Sequence, residues 1–161
     1  MLKFAETDPA QSKNAIAKVS VIYAYIKRRG NLLLLGEEGN MIPASELEYC
    51  IRESLDNLRL GDVFTSFDSS CGGELKLEHA VVAFDFYENI VERLLDDATA
   101  MMIHLKCKGG NIKMQLQIGC NEDIAERTLS ELSVPCGKFK WDIQDEDITF
   151  TLLLSEGGDG K

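Results

Sequence analysis

The stretch Ala80 to Leu95, AVVAFDFYENIVERLL, constrains this chain more than any other. Ala80, Phe84, Tyr87, Val91, Leu94 and, just beyond, Ala98 recur at alternating steps of three and four, the spacing that aligns side chains along one face of a helix. Such a stripe must be buried against another layer of structure. Asp85, Glu88, Asn89, Glu92 and Asp96 fall on the other side. A solvated helix face accounts for these five residues by itself. A binding edge made of carboxylates and an amide is the alternative.

Upstream of this helix, Asp8 followed by Pro9 reads as a helix start, because the aspartate can cap free amides while proline presets the first turn. The helix is expected to run to about Arg29. Ile16, Val19, Tyr23 and Ile26 repeat at heptad spacing, with Ile22 widening the seam, which suits packing against a helix of the same or a neighbouring chain. Lys27, Arg28 and Arg29 fall where a helix C-terminus favours cations. Gly30 and Asn31 are expected to end or kink the helix. NLLLL then reads as a buried strand, with a further helical turn as the alternative, since short apolar runs fit both. Pro43 and Ser45 open a second helix through about Leu60, with Leu47, Cys50, Ile51, Leu55 and Leu58 as its core face and Gly61 closing it. A short strand is expected over 63–67, and SSCGG after it as a turn-rich link.

Beyond the central helix the period changes from about 3.6 to 2. Residues 100–107 and 112–118 alternate, and Gly109 with Gly110 supply the positive backbone angles of a tight hairpin. Ile112, Met114, Leu116 and Ile118 point to the core while Lys113, Gln115 and Gln117 point out, as in a sheet covered on one side only. Asn121 caps a further expected helix to about Leu132, ended by Pro135 and Gly137. A second hairpin sets Phe139, Trp141 and Ile143 against Ile148, Phe150 and Leu152, turning near Asp145. The order predicts an α+β fold: a two-layer α/β sandwich with a mixed, mainly antiparallel sheet, helices on one face, and a long N-terminal helix in front. The expected division is a helix over 1–30, the sandwich over 31–154 and a disordered tail over 155–161.

Composition narrows the function classes. At 161 residues the chain holds one packed domain plus an appended element. Its formal net charge of −10 argues against nucleic-acid binding and anionic membrane surfaces, both of which would repel most of this surface. The apolar runs VSVIYAYI and NLLLL fall short of the roughly 20 residues that span a membrane, and MLKFAETDPA lacks the apolar core of a signal peptide. These features suit a cytoplasmic location. Cys50, Cys71, Cys107, Cys120 and Cys136 are odd in number and never closely paired in sequence, so neither a disulfide framework nor a zinc knuckle is suggested. Most read as small buried apolar residues.

The blocks YIKRRGNLLLL, ELEYCIRESLDNLRLGDV and AFDFYENIVERL, the last followed by a strand, resemble the C-terminal region of bacterial sensor histidine kinases in a divergent branch, over nearly the whole chain from Asp8 to about Leu154. The resemblance implies the histidine kinase and Hsp90-like ATPase fold, preceded by the second helix of a dimerisation and phosphotransfer hairpin. It implies ATP and magnesium as ligands, a homodimer through the N-terminal helix, a response regulator as partner, and a cytoplasmic chain or the cytoplasmic part of a membrane-bound sensor. In such kinases the phosphoacceptor histidine lies on the first hairpin helix, which this sequence lacks. His79 and His104 stand at the start of the central helix and inside a strand, so the resemblance implies a fragment of a longer kinase or a relative that evolved without that helix.

The family's central helix carries Glu-x-x-x-Asn, whose carboxylate positions a water or hydroxyl and whose amide oxygen binds magnesium. Asp85 with Asn89 keeps that separation, whereas anchoring on the following strand places Glu88 and Glu92 nearer those positions. The resemblance thus implies Asp85 and Glu88 as catalytic carboxylates, Asn89 as the magnesium ligand, and Asn89 with Glu92 at the nucleotide. The family's Asp-x-Gly-x-Gly motif survives here only as Gly119 and Asp123, in the wrong order, and the glycine-rich lid that cradles phosphates is missing. The implied activity is histidine phosphotransfer, weakened or lost. A non-enzymatic scaffold for dimerisation or response-regulator binding is the alternative.

Overall fold

Alternating apolar residues in the second half of the chain produce the sheet on which the other elements rest. The computed structural model describes residues 9–36, 40–120 and 131–155. Helix α1 (Pro9–Gly36) is followed by β1 (Met41–Pro43), α2 (Ala44–Leu58), β2 (Phe64–Cys71), β3 (Glu74–Lys76), α3 (Leu77–Leu94), β4 (Ala100–Lys108), β5 (Asn111–Gly119), β6 (Lys138–Gln144) and β7 (Asp147–Leu154). Five strands form one sheet in the order β2-β4-β5-β7-β6. Among the described residues only β2 with β4 is a parallel pair, and β3 with α3 provides the crossover between them. Strands β1 and β3 make a separate antiparallel ribbon.

The hairpins match the sequence reading. Gly109 and Gly110 adopt φ of 61° and 83°, the mirror-image turn geometry that follows the sheet's twist, and Lys108 pairs with Asn111 across it. The second hairpin pairs Phe139 with Leu152, Trp141 with Phe150 and Ile143 with Ile148, and Asp145 takes a φ of 56° at its turn. Met101, Ile103, Leu105 and Cys107 of β4, and Ile112, Met114, Leu116 and Ile118 of β5, are buried beneath the helices. Helix α3 presses Ala80, Phe84, Tyr87, Val91 and Leu94 into the core with no exposed surface. Burial of each of its larger side chains contributes roughly 1.5–3 kcal/mol before ordering costs. α2 buries Leu47, Cys50, Ile51, Leu55 and Leu58, and its Ser54 hydroxyl accepts the Tyr87 hydroxyl at 2.8 Å.

Three expectations are corrected. α1 does not stop at Arg29, and NLLLL is not a strand: the helix continues to Gly36. Gly30 costs an exposed helix interior only about 1 kcal/mol, and continuing the helix lets Leu32 reach the core, where it is 1% exposed. Lys27, Arg28 and Arg29 therefore lie inside the helix, away from its C-terminal dipole. The strand expected over 63–67 runs on to Cys71, so the SSC of SSCGG is sheet and only Gly72 and Gly73 turn. The expected cap Asp8, residues 121–130 of the expected fourth helix and the tail from 156 lie outside the described residues. Among the described residues no helix is long and apolar enough to cross a membrane.

Candidate functional site

α1 lies antiparallel along α3. Lys18 meets Asp96 at one end of the contact, 3.6 Å apart, and Arg29 meets Asp85 at the other. α1 carries two neighbouring seams at helical spacing. Ala17, Val21, Ala24 and Leu32 are buried inward, while Ile16, Val19, Tyr23 and Ile26 are 59–70% exposed. The heptad seam read from the sequence is thus the outward one, one position away from the seam that packs the domain together.

The four residues implied as a site share one helix but occupy different environments. Asp85 is half-buried and fully engaged. Its carboxylate accepts the Tyr25 hydroxyl at 2.7 Å, Arg29 Nε at 2.9 Å and Arg29 Nη2 at 3.2 Å. The Arg29 guanidinium is held more strongly charged by that bond to Asp85. Burial, followed by the hydrogen bond to Asp85, pushes the Tyr25 phenol above its ordinary range, so it stays a donor. Immediately before Arg29 in the helix, Arg28 forks onto Glu53 of α2 through Nε and Nη2 at 2.6 and 2.7 Å, which lowers the Glu53 carboxyl. The basic run thus ties α1 to both neighbouring helices.

Glu88 corrects the sequence reading of a solvated edge. It is 1% exposed, and neither carboxylate oxygen has a hydrogen-bond partner among the described residues. Burial, with smaller contributions from Glu92 and Asp85, pushes its carboxyl up to about 8, so near neutral pH it is mostly protonated. Tyr25 of α1 lies close enough to Glu88 to feel its charge, so α3 carries a helix along this flank and buries a wider arc than a single stripe. Asn89 is half-buried, and its Oδ1 accepts Arg93 Nε at 3.1 Å. Arg93 in turn pairs with Glu131. Glu92 is exposed, as expected.

This geometry does not fit a magnesium-nucleotide site. A hard cation needs free, preferably charged oxygens. Here the Asp85 oxygens face a guanidinium, the Asn89 oxygen faces another, and the Glu88 carboxyl is sequestered. Beside Asp85 a cleft of about 750 Å³ opens among Arg29, Leu33, Met41, Leu77 and Val81, with a largely apolar lining. Among the described residues no three His, Cys, Asp or Glu side chains converge as metal ligands. His79 is buried on α3, whereas exposed His104 lies 3.4 Å from Asp68.

What sequence reasoning missed is the role of α1. Tyr25, Arg28 and Arg29 complete the polar contacts of α2 and α3, yet nothing in their local spacing names those partners.

No family model and no curated protein matches the sequence. Solved structures do resemble its fold. The histidine kinase domain of the Erythrobacter litoralis EL346 blue-light activated histidine kinase superposes with a TM-score of 0.52 at 11% identity, covering 81% of this chain and 74% of that one. The Acinetobacter baumannii histidine kinase AdeS gives 0.50 at 11% identity, over 94% and 87%. Against a longer structure of the Erythrobacter kinase, this chain spans 52% of its partner's length. The α+β architecture is that of the histidine kinase catalytic domain.

Proposed function

Starting from a chain with the histidine kinase ATPase fold, we propose that it is a cytoplasmic signal-transduction module of the two-component type, in which nucleotide binding has given way to a scaffold role. The observation that carries this reading is the engagement of Asp85 by Arg29 and Tyr25 of α1. An ion pair from within the chain thus engages one of the carboxylates that the resemblance implies would serve ATP and magnesium. Asn89, the implied magnesium ligand, is turned to Arg93, and Glu88 is buried rather than presented.

The scaffold reading rests on the outward seam of α1. Four large apolar or aromatic side chains at heptad spacing on one exposed face suit a homodimer through the N-terminal helix, with a response regulator as the partner kind implied by the family resemblance. Titration calorimetry with ATP and magnesium tests the loss of the site. Binding no tighter than about millimolar, roughly 4 kcal/mol, is expected. Micromolar binding that Asn89→Ala abolishes would restore an active nucleotide site.

A further inference from the structure

Cys71 and Cys107 are 36 residues apart in sequence and directly opposed in the parallel register of β2 and β4. Their sulfurs lie 3.4 Å apart, within hydrogen-bonding distance. Neighbouring strands stand about 4.8 Å apart, inside the Cα separation of about 4.4–6.8 Å that a disulfide spans. Closing the bond requires the sulfurs to approach to about 2.05 Å, a side-chain rotation rather than a change of fold.

The two thiols differ as a redox pair requires. β2 is an edge strand and Cys71 is half-buried there, whereas Cys107 sits on an interior strand and is 3% exposed. We propose that Cys71 and Cys107 form a redox-active dithiol, a site of reversible oxidation by hydroperoxides that closes a disulfide between β2 and β4. The Cys71 thiolate attacks the O–O bond of hydrogen peroxide; with one proton taken up, this gives a Cys71 sulfenic acid and one water. Cys107 sulfur then attacks the Cys71 sulfur. Its proton leaves with the displaced hydroxide as a second water, and the two thiols have lost two electrons to the peroxide.

The local environment supports this assignment of roles. The hydrogen bond with Cys107 lowers the Cys71 thiol, while the same contact and burial raise Cys107, which keeps its proton until it resolves the sulfenic acid. Glu48 of α2 stands close enough to work against both thiolates, so the lowering at Cys71 comes from the partner sulfur and not from a nearby cation. Cys50 is the contrast: burial pushes it up to about 12, and it is inert by the same criteria. A closed disulfide would clamp the end of β2 just before the Gly72–Gly73 turn. There Gly72 N already donates to Cys107 O at 3.2 Å, and Gly73 O accepts Ala44 N at the start of α2.

The test treats the purified full chain with about a tenfold excess of hydrogen peroxide and maps peptides without reduction. The expected product is a Cys71–Cys107 linked peptide, a mass loss of about 2 Da, restored by dithiothreitol. A Cys107→Ser chain with unchanged circular dichroism is expected to hold Cys71 as a sulfenic acid that dimedone traps. Overoxidation of Cys71 in the parent without the linked peptide would overturn the proposal, as would linkage chiefly to another cysteine. Should Cys107→Ser not fold, Cys71→Ser decides: it is expected to leave Cys107 unmodified, and a trapped sulfenic acid at Cys107 would reverse the assignment.

Discussion

Arg29, in the third quarter of α1, closes on Asp85 of α3 through two guanidinium nitrogens, at 2.9 and 3.2 Å. The contact joins residues 56 apart in sequence and is one of the bonds that lay α1 along α3. Both side chains are more than a third exposed, so screening limits what the pair contributes. Arg29→Gln and Asp85→Asn are each expected to cost about 1 kcal/mol, and the double substitution little more than either, a coupling of about 1 kcal/mol. Urea denaturation of the four chains measures it. Additive losses would mean that the pair makes no net contribution.

Glu88 should make stability depend on pH in an unusual direction. Its carboxyl titrates near 4.5 when unfolded and near 8 when folded. The folded state therefore binds more protons between those values, and stability is greatest below about 4.5 and lost as pH rises through 8. By pH 7 the loss from this one group is on the order of 3 kcal/mol. Glu88→Gln is expected to remove most of that loss and flatten the profile. Unfolding midpoints at pH 5, 7 and 9 give the answer, and a variant with the parent's slope would show that Glu88 is ionised and solvated.

The outward seam of α1 predicts self-association. Val19 and Ile26 are 67% and 65% exposed, so replacing both with lysine leaves the internal packing alone. Sedimentation is expected to show a dimer for the parent chain and a monomer for the double variant, with little change in melting temperature. A parent that remains monomeric at high micromolar concentration removes the dimer reading.

Tyr87 and Ser54 share a buried hydrogen bond of 2.8 Å between α3 and α2. Tyr87→Phe is expected to cost about 1 kcal/mol, and Ser54→Ala about 1–3 kcal/mol, because the second leaves a phenol stranded in the core. Thermal melts rank the two. Equal melting points for all three chains would mean that water satisfies the phenol.

Local patterns in the chain specified α3, the two hairpins and the inner faces of α3 and β5, but not the inner face or the end of α1. The stripe from Ala80 to Leu94 became the buried helix, the alternation from Ile112 to Ile118 became a one-sided strand, and Gly109–Gly110 became the hairpin turn. These readings succeed because a period of 3.6 or 2 and a positive φ are local properties, written within a few consecutive residues. Tertiary structure decided what lies against what. The packing of α1 along α3 turns Ile16, Val19, Tyr23 and Ile26 outward and gives Asp85 to Arg29, and burial in the assembled domain sequesters Glu88. Only the parallel register of β2 with β4 brings Cys71 to Cys107. Each of these contacts joins side chains far apart in the sequence, and neither charge nor burial is fixed until the neighbouring element arrives.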